Sequence, residues 1–160
     1  MKKIKTDVMF ICSVGGHLTQ MLQLKDLILS YNYVLVTDKT PVTIPLKDKF
    51  NIRYMCYCSR KYFLTYAFKE AYNAILALVY LIKYNPKVIV TTGTHTAMPT
   101  CVMAKWFKKK VIYIESFAKN KTPTRSAKYA CKHHVADTLV VQWDEMEQVL
   151  KGSENWGWIY

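Results

Sequence analysis

The sequence contains few of the residues that mark disordered or fibrous chains. Only 5 of its 160 residues are Gly and 5 are Pro, while 51% are hydrophobic. These fractions exclude a collagenous, low-complexity or intrinsically disordered chain. No repeat, linker or change of composition divides the sequence, and its length is typical of one domain. We therefore expect a single domain over residues 1–160.

Acidic residues are also scarce. The chain has 11 Asp and Glu against 23 Lys and Arg, which gives a net charge of +12 with neutral histidines. This excess indicates an anionic partner, which can be a nucleic acid, a lipid surface or a phosphorylated ligand. The aromatic content of 14%, with 12 Tyr, fits base stacking but equally fits protein interfaces and membrane surfaces. Composition alone leaves these classes of partner open.

No segment of the sequence is long and apolar enough to cross a membrane. The best candidate, Ala71 to Ile82, has 12 uncharged residues between Glu70 and Lys83, whereas a spanning helix needs about 20. The basic start leads into a strand and not into the apolar core of a secretory signal. The cysteines number five, an odd count. We therefore expect reduced, mostly buried thiols, as in the cytosol.

Short β-branched runs alternate with segments of helical periodicity. This alternation predicts an α/β fold in which helices cover both faces of a parallel sheet. After the last predicted helix and strand, the chain from Glu145 to Tyr160 is expected to form a short helix and an apolar aromatic tail. The strands are predicted at 8–13, 33–37, 52–58, 88–92, 111–114 and 138–141, and the helices at 17–29, 64–83, 97–107 and 124–131.

Polar or glycine-rich residues follow three of the predicted strands, at 13–17, 92–96 and 115–117. Ligands of open parallel sheets bind beyond the carboxyl ends of the strands. Glycine allows close approach of the backbone, and the N–H groups at a helix start favour an anion. We therefore predict a binding site where these turns converge, with packing as the alternative reason for their glycines. The predicted binding residues are Ser13, Gly15, Gly16, Gly93, Thr94, His95 and Ser116.

The usual fingerprints of nucleotide binding are missing after the first strand. Gly15 and Gly16 are followed by neither a third glycine in G-x-G-x-x-G spacing nor a P-loop lysine. Asp38, just after the second strand, occupies the place of a ribose-binding acid. A lone acid at that place is usually a solvated loop residue, so we expect no cofactor to be bound by this chain alone.

His17 is the strongest candidate for proton transfer. A helix N-terminus disfavours the protonated imidazole, which suits a neutral base or hydrogen-bond donor. The structural alternative is an imidazole that merely caps backbone groups. His95 lies in a similar turn, while His133 and His134 are adjacent and poorly spaced for one metal centre. We predict no metal site.

Basic residues cluster in two segments, at 105–110 and at 119–132. Such charges usually belong to a solvated face. Their density near Glu115 and Ser116 indicates an anionic ligand or a layer of lipid headgroups. We include Arg125 among the residues predicted to bind an acceptor or its phosphate.

Four segments resemble one known family: Ile11 to Leu18, Thr92 to His95, Val111 to Ala118 and Gly157 to Tyr160. They are similar to the family of asparagine-linked glycosylation protein 14, which includes bacterial capsular and exopolysaccharide biosynthesis proteins. More distantly, the chain resembles the N-terminal half of the MurG-type N-acetylglucosaminyltransferase. The resemblance extends over nearly the whole chain and implies a Rossmann-like domain equivalent to the N-terminal half of a GT-B glycosyltransferase.

The resemblance also implies a split enzyme. This chain would be the accessory, acceptor-side subunit of a UDP-sugar glycosyltransferase that acts on a lipid-linked saccharide in surface polysaccharide biosynthesis. A separate catalytic subunit would bind the UDP-sugar. His17 and Glu115 would be acid/base or acceptor-orienting groups, and residues 152–160 would dock the partner. The docking residues would be Trp156, Trp158, Ile159 and Tyr160.

The resemblance does not by itself indicate how this chain attaches to a membrane. Eukaryotic members of the family have an N-terminal membrane helix, whereas the first strand is predicted here from residue 8. We expect peripheral attachment at the cytoplasmic face through the aromatic helix at 64–83, the basic residues or the partner. The alternatives are a self-contained nucleotide-dependent α/β enzyme and a basic nucleic-acid-binding module. No recognition motif supports the latter, so we predict no nucleic-acid partner.

Overall fold

The computed structural model describes residues 4–59, 63–94 and 96–159 of the chain. These residues form a seven-stranded sheet in the order β3-β2-β1-β4-β5-β6-β7, in which every neighbouring pair is parallel. A 3-10 turn at Ile44–Asp48 precedes β3. The strands are β1 (Val8–Ile11), β2 (Tyr33–Asp38), β3 (Ile52–Met55), β4 (Val88–Thr91), β5 (Lys110–Ile114), β6 (Thr138–Val141) and β7 (Ser153–Asn155).

Helices cover both faces of this sheet. The predicted α/β, Rossmann-like fold is therefore confirmed. The helices are α1 (Gly16–Gln23), α2 (Lys25–Leu29), α3 (Phe63–Tyr84), α4 (Met98–Trp106), α5 (Arg125–Lys132) and α6 (Asp144–Val149).

Each face has its own apolar core. Met9 and Ile11 of β1 point to the core that α3, α4, α5 and α6 cover. Val8 and Phe10 point to the opposite core, which α1 and α2 cover. Successive side chains of a strand alternate between the faces. Because both faces are covered, β1 is apolar at every position.

The strand order reverses beside β1. From β1 the chain continues outward to β3, returns to β4 on the other side of β1, and then proceeds to β7. Ile11 lies level with Val36 of β2 and with Thr91 of β4. The carboxyl ends of β1 and β4 therefore flank the crevice in which open α/β sheets bind ligands.

The longest helix, α3, buries one stripe and exposes another. Its core side carries Asn73, Ala77, Leu81 and Tyr84, all at most 2% exposed and spaced by three or four residues. On the solvent side Phe68, Tyr72, Ile75 and Ile82 are exposed, and we call these four residues the α3 stripe. None of the helices in the described ranges is long and apolar enough to cross a membrane.

Two elements differ from the sequence-based prediction. The helix predicted over 17–29 breaks at Leu24 into α1 and α2, because Leu24 leaves the helical conformation with φ −85° and ψ 20°. Residues Ser153–Asn155, assigned to the aromatic tail, instead form β7 beside β6. These three polar residues give no hydrophobic alternation from which a strand could be predicted.

The tail predicted as a docking element is thus partly built into the domain. The Ile159 N–H donates to Gln142 Oε1 at 3.0 Å, and the Ile159 side chain packs on the α1–α2 side of the sheet. The Trp158 ring contacts the rings of Phe117 and Trp143 but remains 63% exposed. Trp156 is also exposed. Tyr160 lies outside the described residues, and the docking role of the tail stays a prediction.

Candidate functional site

Direct hydrogen bonds join the turns that follow β1 and β4. The Thr94 hydroxyl donates to Ser13 Oγ at 2.8 Å. The Gly93 N–H donates to Thr91 Oγ1 at 3.0 Å and fixes the start of the same turn. Two of the three predicted segments therefore meet, as expected from their positions at neighbouring strand ends.

His17 connects α1 to the end of β4. Its Nδ1 bonds to the carbonyl oxygen of Thr92, and the Thr92 hydroxyl donates to the His17 carbonyl oxygen at 2.8 Å. A carbonyl oxygen only accepts, so Nδ1 carries a proton, and in the neutral form of the ring the lone pair lies on Nε2. The ring therefore reaches from α1 to the end of β4, and Nε2 is its basic atom.

Gly93 allows this close arrangement. Its φ of +94° lies in the left-handed region, and a Cβ at this position would be 3.0 Å from Tyr113 Oη and 3.3 Å from His17 Cε1. With any side chain at this position, Tyr113 or His17 would therefore have to shift by a few tenths of an ångström. The glycine brings the backbone of the β4 turn against both His17 and Tyr113.

Glu115, expected to face the crevice, is buried in the structure. The residue is 1% exposed, and its carboxylate accepts hydrogen bonds from the Ser116 N–H at 2.7 Å and the Thr124 hydroxyl at 2.8 Å. The Thr124 N–H adds a longer bond of 3.3 Å. Burial raises the pKa of Glu115 above its ordinary value, although these donors act in the opposite direction. Glu115 therefore fixes the loop from residue 116 to 124 and has the geometry of a positioning residue.

Tyr113 and Thr124 link Glu115 to Gly93, and sequence reasoning missed both. Tyr113 Oη lies 3.2 Å from Thr124 Oγ1. Thr124 Oγ1 also accepts from the Ala127 N–H at 3.1 Å and caps α5. Burial raises the pKa of the Tyr113 phenol, which keeps it neutral. A threonine just before a basic helix is a recognisable cap signal, whereas a tyrosine in an apolar strand resembles any core residue.

Asp38 corrects another expectation. It is not a solvated loop residue, because it is 2% exposed and its Oδ2 accepts from the Val14 N–H at 3.0 Å. The carboxylate thus holds the turn that leads from β1 to Gly15. Sequence alone did not distinguish a buried acid at the end of a strand from a solvated acid in the loop that follows.

The other predicted residues surround this network. Gly15 and Gly16 are exposed, with open space where a Cβ would lie. Arg125 is exposed at the first residue of α5, and Ser116 is half-buried. His95 lies outside the described residues. Within the described ranges, no group of three or more His, Cys, Asp or Glu side chains could hold a metal ion.

An apolar groove of about 810 Å³ lies between α3, α4 and α5. We call it the lateral groove. Thr94 and Thr124 line it and also belong to the hydrogen-bonded network described above. The crevice and the lateral groove are therefore adjacent. The remaining lining residues are Ala74, Met98, Pro99, Val102, Met103, Trp106, Arg125, Ser126 and Tyr129.

The strand order and the parallel sheet covered by helices match the fold of the N-terminal half of GT-B glycosyltransferases. MurG of Acinetobacter baumannii superposes with a TM-score of 0.65 at 16% identity, over 85% of this chain and 41% of that one. A glycosyltransferase from Rickettsia africae ESF-5 gives 0.60 at 17% identity, over 93% of this chain and 40% of that one. The UDP-GlcNAc 2-epimerase of Methanocaldococcus jannaschii gives 0.64 at 13% identity, over 90% and 41%. At these identities the likeness concerns the fold alone, and this chain spans about two fifths of each structure.

Residues 58–159 match the family described as "Oligosaccharide biosynthesis protein Alg14 like". The match extends over more than half of the chain, which therefore belongs to the Alg14-like family. No significantly similar sequence is found among curated proteins. The predicted family and the predicted likeness to the N-terminal half of MurG are both confirmed.

The contacts of Gly93 predict that Gly93→Ala is costly in two ways. The positive φ alone destabilises a non-glycine residue by about 1–2 kcal/mol, and the new methyl group would also press on Tyr113 Oη and His17 Cε1. Gly152→Ala is the matched control, because Gly152 has a φ of +82° and open space around it. Urea denaturation should give a larger loss of stability for Gly93→Ala. Equal losses of stability would show that Tyr113 and His17 move aside at no cost in free energy.

The raised pKa of Glu115 predicts a pH trend in stability. The folded state holds the carboxyl proton more tightly than the unfolded state, so this stabilisation is present at low pH and is lost as pH rises through the folded pKa. Glu115→Gln cannot ionise. Its melting temperature should therefore rise relative to wild type as the pH increases from the ordinary carboxyl range upward.

The control for this experiment is the exposed Glu145. Melting temperatures of wild type, Glu115→Gln and Glu145→Gln are measured in steps from about pH 4 to 8. The Glu145→Gln difference should lack the trend. A Glu115→Gln difference that is flat or falls with pH would contradict the effect of burial.

Proposed function

We propose that this chain is the accessory, acceptor-side subunit of a two-component UDP-sugar glycosyltransferase. Its acceptor is a lipid-linked saccharide in surface polysaccharide biosynthesis. The observation that carries the proposal is the crevice between β1 and β4, where His17, Gly93 and Thr94 meet in a chain of the Alg14-like family. A glycosyltransferase fold whose strand ends converge on a histidine supports acceptor binding at this edge.

The donor is assigned to a partner subunit. The turn after β1 contains Gly15 and Gly16 but lacks the spacing that cradles a dinucleotide. The described fold corresponds to about two fifths of MurG. In the proposed enzyme, a second polypeptide supplies the other half of the fold and binds the UDP-sugar. The exposed Trp156 and Trp158 at the sheet edge support a docking role for the C-terminal residues.

The proposed reaction is a displacement at the anomeric carbon of the donor sugar. An acceptor hydroxyl oxygen forms the new bond to this carbon, and the bond from the carbon to the UDP oxygen breaks with its electron pair leaving on UDP. Nε2 of His17 takes the hydroxyl proton. The bond from Nδ1 to the Thr92 carbonyl keeps the ring in the tautomer and orientation that this transfer needs.

Glu115 has an indirect role in this scheme. Its buried carboxylate bonds to Thr124 and fixes the loop before α5. This places Thr124 and Arg125 beside the crevice, where Arg125 would meet the phosphate of the lipid-linked acceptor. Glu115 thus orients the acceptor side without touching the acceptor.

Peripheral attachment at the cytoplasmic membrane face is part of the proposal. The α3 stripe exposes aromatic and aliphatic side chains on the helix that packs beside α4. The end of α4 and the turn after it are basic, with Lys105, Lys108 and Lys109. Each basic residue near an anionic leaflet contributes about 1 kcal/mol, and apolar side chains add contact with the headgroup boundary.

The proposal predicts that activity requires two chains. UDP release from a UDP-sugar should be undetectable with the purified chain alone. It should appear when the chain is co-expressed with a polypeptide equivalent to the C-terminal GT-B half and supplied with a lipid-linked saccharide. UDP release by the lone chain would overturn the split-enzyme proposal. Conversion of UDP-GlcNAc to its 2-epimer by the lone chain would instead favour the activity of the epimerase with the similar fold.

The assignment of His17 as base predicts a selective loss of turnover. His17→Asn retains a side-chain N–H for the Thr92 carbonyl but removes the ring nitrogen that accepts the proton. The kcat of the assembled pair should fall by about 10²–10⁴-fold. His134→Asn is the matched control, because His134 is exposed and has a φ of 49° that asparagine tolerates. Full activity of His17→Asn would exclude His17 as the base.

A further inference from the structure

A second cavity, separate from the crevice and the lateral groove, opens where β2 and β3 end beside α3. Its volume is about 440 Å³. It is lined by Tyr54 of β3, Tyr57 in the turn after β3, Lys39 after β2, and Lys69 and Tyr72 of α3. We call this cavity the β3 pocket. The function proposed above assigns no ligand to it.

The β3 pocket is positively charged. Among the described residues that line it, Lys39 and Lys69 are the only charged ones. The Lys69 ammonium donates to the Tyr57 carbonyl oxygen at 3.3 Å, which holds it beside the pocket. Lys87 and Lys105 each pair with an aspartate, whereas neither pocket lysine pairs with an acid in the part of the chain that the structure describes. Two ammonium groups without a counter-charge favour an anionic ligand.

Tyrosine rings form apolar walls of the same pocket. Tyr57 is 47% exposed and Tyr72 is 54% exposed, so both rings have surface free to contact a ligand. Leu76, one helical turn after Tyr72, adds an aliphatic contact. Aromatic side chains with an apolar ring and a polar hydroxyl suit ligands that have both apolar and polar faces. The pocket therefore favours a cyclic molecule that carries a negative charge over a bare anion.

Backbone groups around the β3 pocket are already hydrogen-bonded. The Cys56 N–H donates to Asn73 Oδ1, and the Cys56 carbonyl oxygen accepts from Asn73 Nδ2, both at 2.8 Å. The Lys39 N–H donates to the Met55 carbonyl oxygen at 2.8 Å. Proteins read a nucleobase through hydrogen bonds to its edge, and these backbone groups are not free to form them. A sugar ring, whose hydroxyls can stay in contact with water in an open pocket, fits this arrangement better than a nucleobase.

The β3 pocket lies at the same edge of the sheet as the crevice. Asp38 ends β2 and bonds to the Val14 N–H in the turn after β1, and Lys39 is the next residue. Neighbouring strands are about 4.8 Å apart, so β3 lies about 10 Å from β1 across the sheet. Arg125 lies on the other side of the crevice, at the start of α5 after β5. The order along this edge is Arg125, His17 and the β3 pocket, so a saccharide held at the first two would be directed toward the third.

We infer that the β3 pocket binds an acidic sugar of the acceptor saccharide. The carboxylate or phosphate of that sugar lies between Lys39 and Lys69, and the sugar ring packs on Tyr57 and Tyr72. This inference rests on the proposed function for the origin of the saccharide, and it deepens that function because it makes the acceptor an acidic saccharide. Binding of an acidic sugar to the isolated chain needs no partner, lipid or turnover.

The test titrates the purified full chain with methyl glucuronide, glucose 6-phosphate and neutral methyl glucoside, and follows backbone amide shifts by NMR. At least one acidic sugar should cause saturable shifts at Lys39, Cys56, Tyr57 and Tyr72, and methyl glucoside should bind more weakly. No saturable shifts at these residues, or equal binding of methyl glucoside, would overturn the inference. Acetate or inorganic phosphate that binds as tightly as the acidic sugars would overturn it in favour of a simple anion site. Tighter binding of UMP would overturn it in favour of a nucleotide.

Variants separate the charges from the rings. Lys39→Gln and Lys69→Gln should each weaken binding of the acidic sugar by about 1.5-fold to fivefold, the contribution of an exposed ion pair. The matched control Lys25→Gln removes the same charge from α2 and should bind as wild type does. Tyr57→Ala should weaken binding of the acidic sugar without changing that of acetate. All four positions are exposed, so these variants should fold. Equal effects of the three lysine variants would reduce the binding to attraction by net charge and would overturn the inference.

The two proposals fail by different results. Acidic sugar bound in the β3 pocket, without sugar transfer by any assembled pair, would overturn only the glycosyltransferase proposal. In an active pair, Lys39→Gln and Lys69→Gln should raise the KM for an acidic acceptor at unchanged kcat, because these lysines bind the acceptor away from the reacting atoms. An active pair whose KM for acidic acceptors does not change in these variants would overturn only the assignment of the β3 pocket.

Discussion

The site depends on the two bonds between His17 and Thr92. β1 and β4 belong to halves of the sheet that the chain builds in opposite directions, so α1 and α4 lie on opposite faces and a crevice opens between them. The imidazole spans this crevice by bonding to the backbone beyond β4, and the Thr92 hydroxyl returns a bond to α1. Gly93 favours this arrangement, since a Cβ there would lie only 3.3 Å from His17 Cε1 and would press on the ring.

A second network secures the side of the crevice that follows β5. The Glu115 carboxylate, the Thr124 hydroxyl and the Tyr113 phenol form a connected chain of hydrogen bonds in a buried environment. In such surroundings each bond is strengthened by low polarity, and loss of one member leaves the others unpaired. Thr124 also caps α5. The same network therefore fixes the turn beside the crevice and one wall of the lateral groove.

The helical layers on the two faces of the sheet differ in the side chains that they expose. On the side of α3, α4 and α5, the α3 stripe and the lateral groove leave aromatic and aliphatic side chains exposed. Apolar surface of this extent on a chain with a net charge of +12 is typical of a region that meets another surface. The proposed lipid boundary would satisfy both features, because it offers hydrocarbon below a layer of anionic headgroups.

The sequence by itself determined the sheet, the helices and the family, because β-branched runs, helical periodicity and the Gly-Gly-His turn are local signals. It also identified the strand ends that meet. Only the tertiary structure decided which groups those ends bury. Asp38 was expected in solvent and Glu115 in the crevice, yet both are buried and accept hydrogen bonds from backbone N–H groups. Strand β7 and the role of Tyr113 likewise depend on contacts between residues distant in sequence. Burial and hydrogen-bond partners are properties of packed neighbours, and the order of residues alone does not specify them.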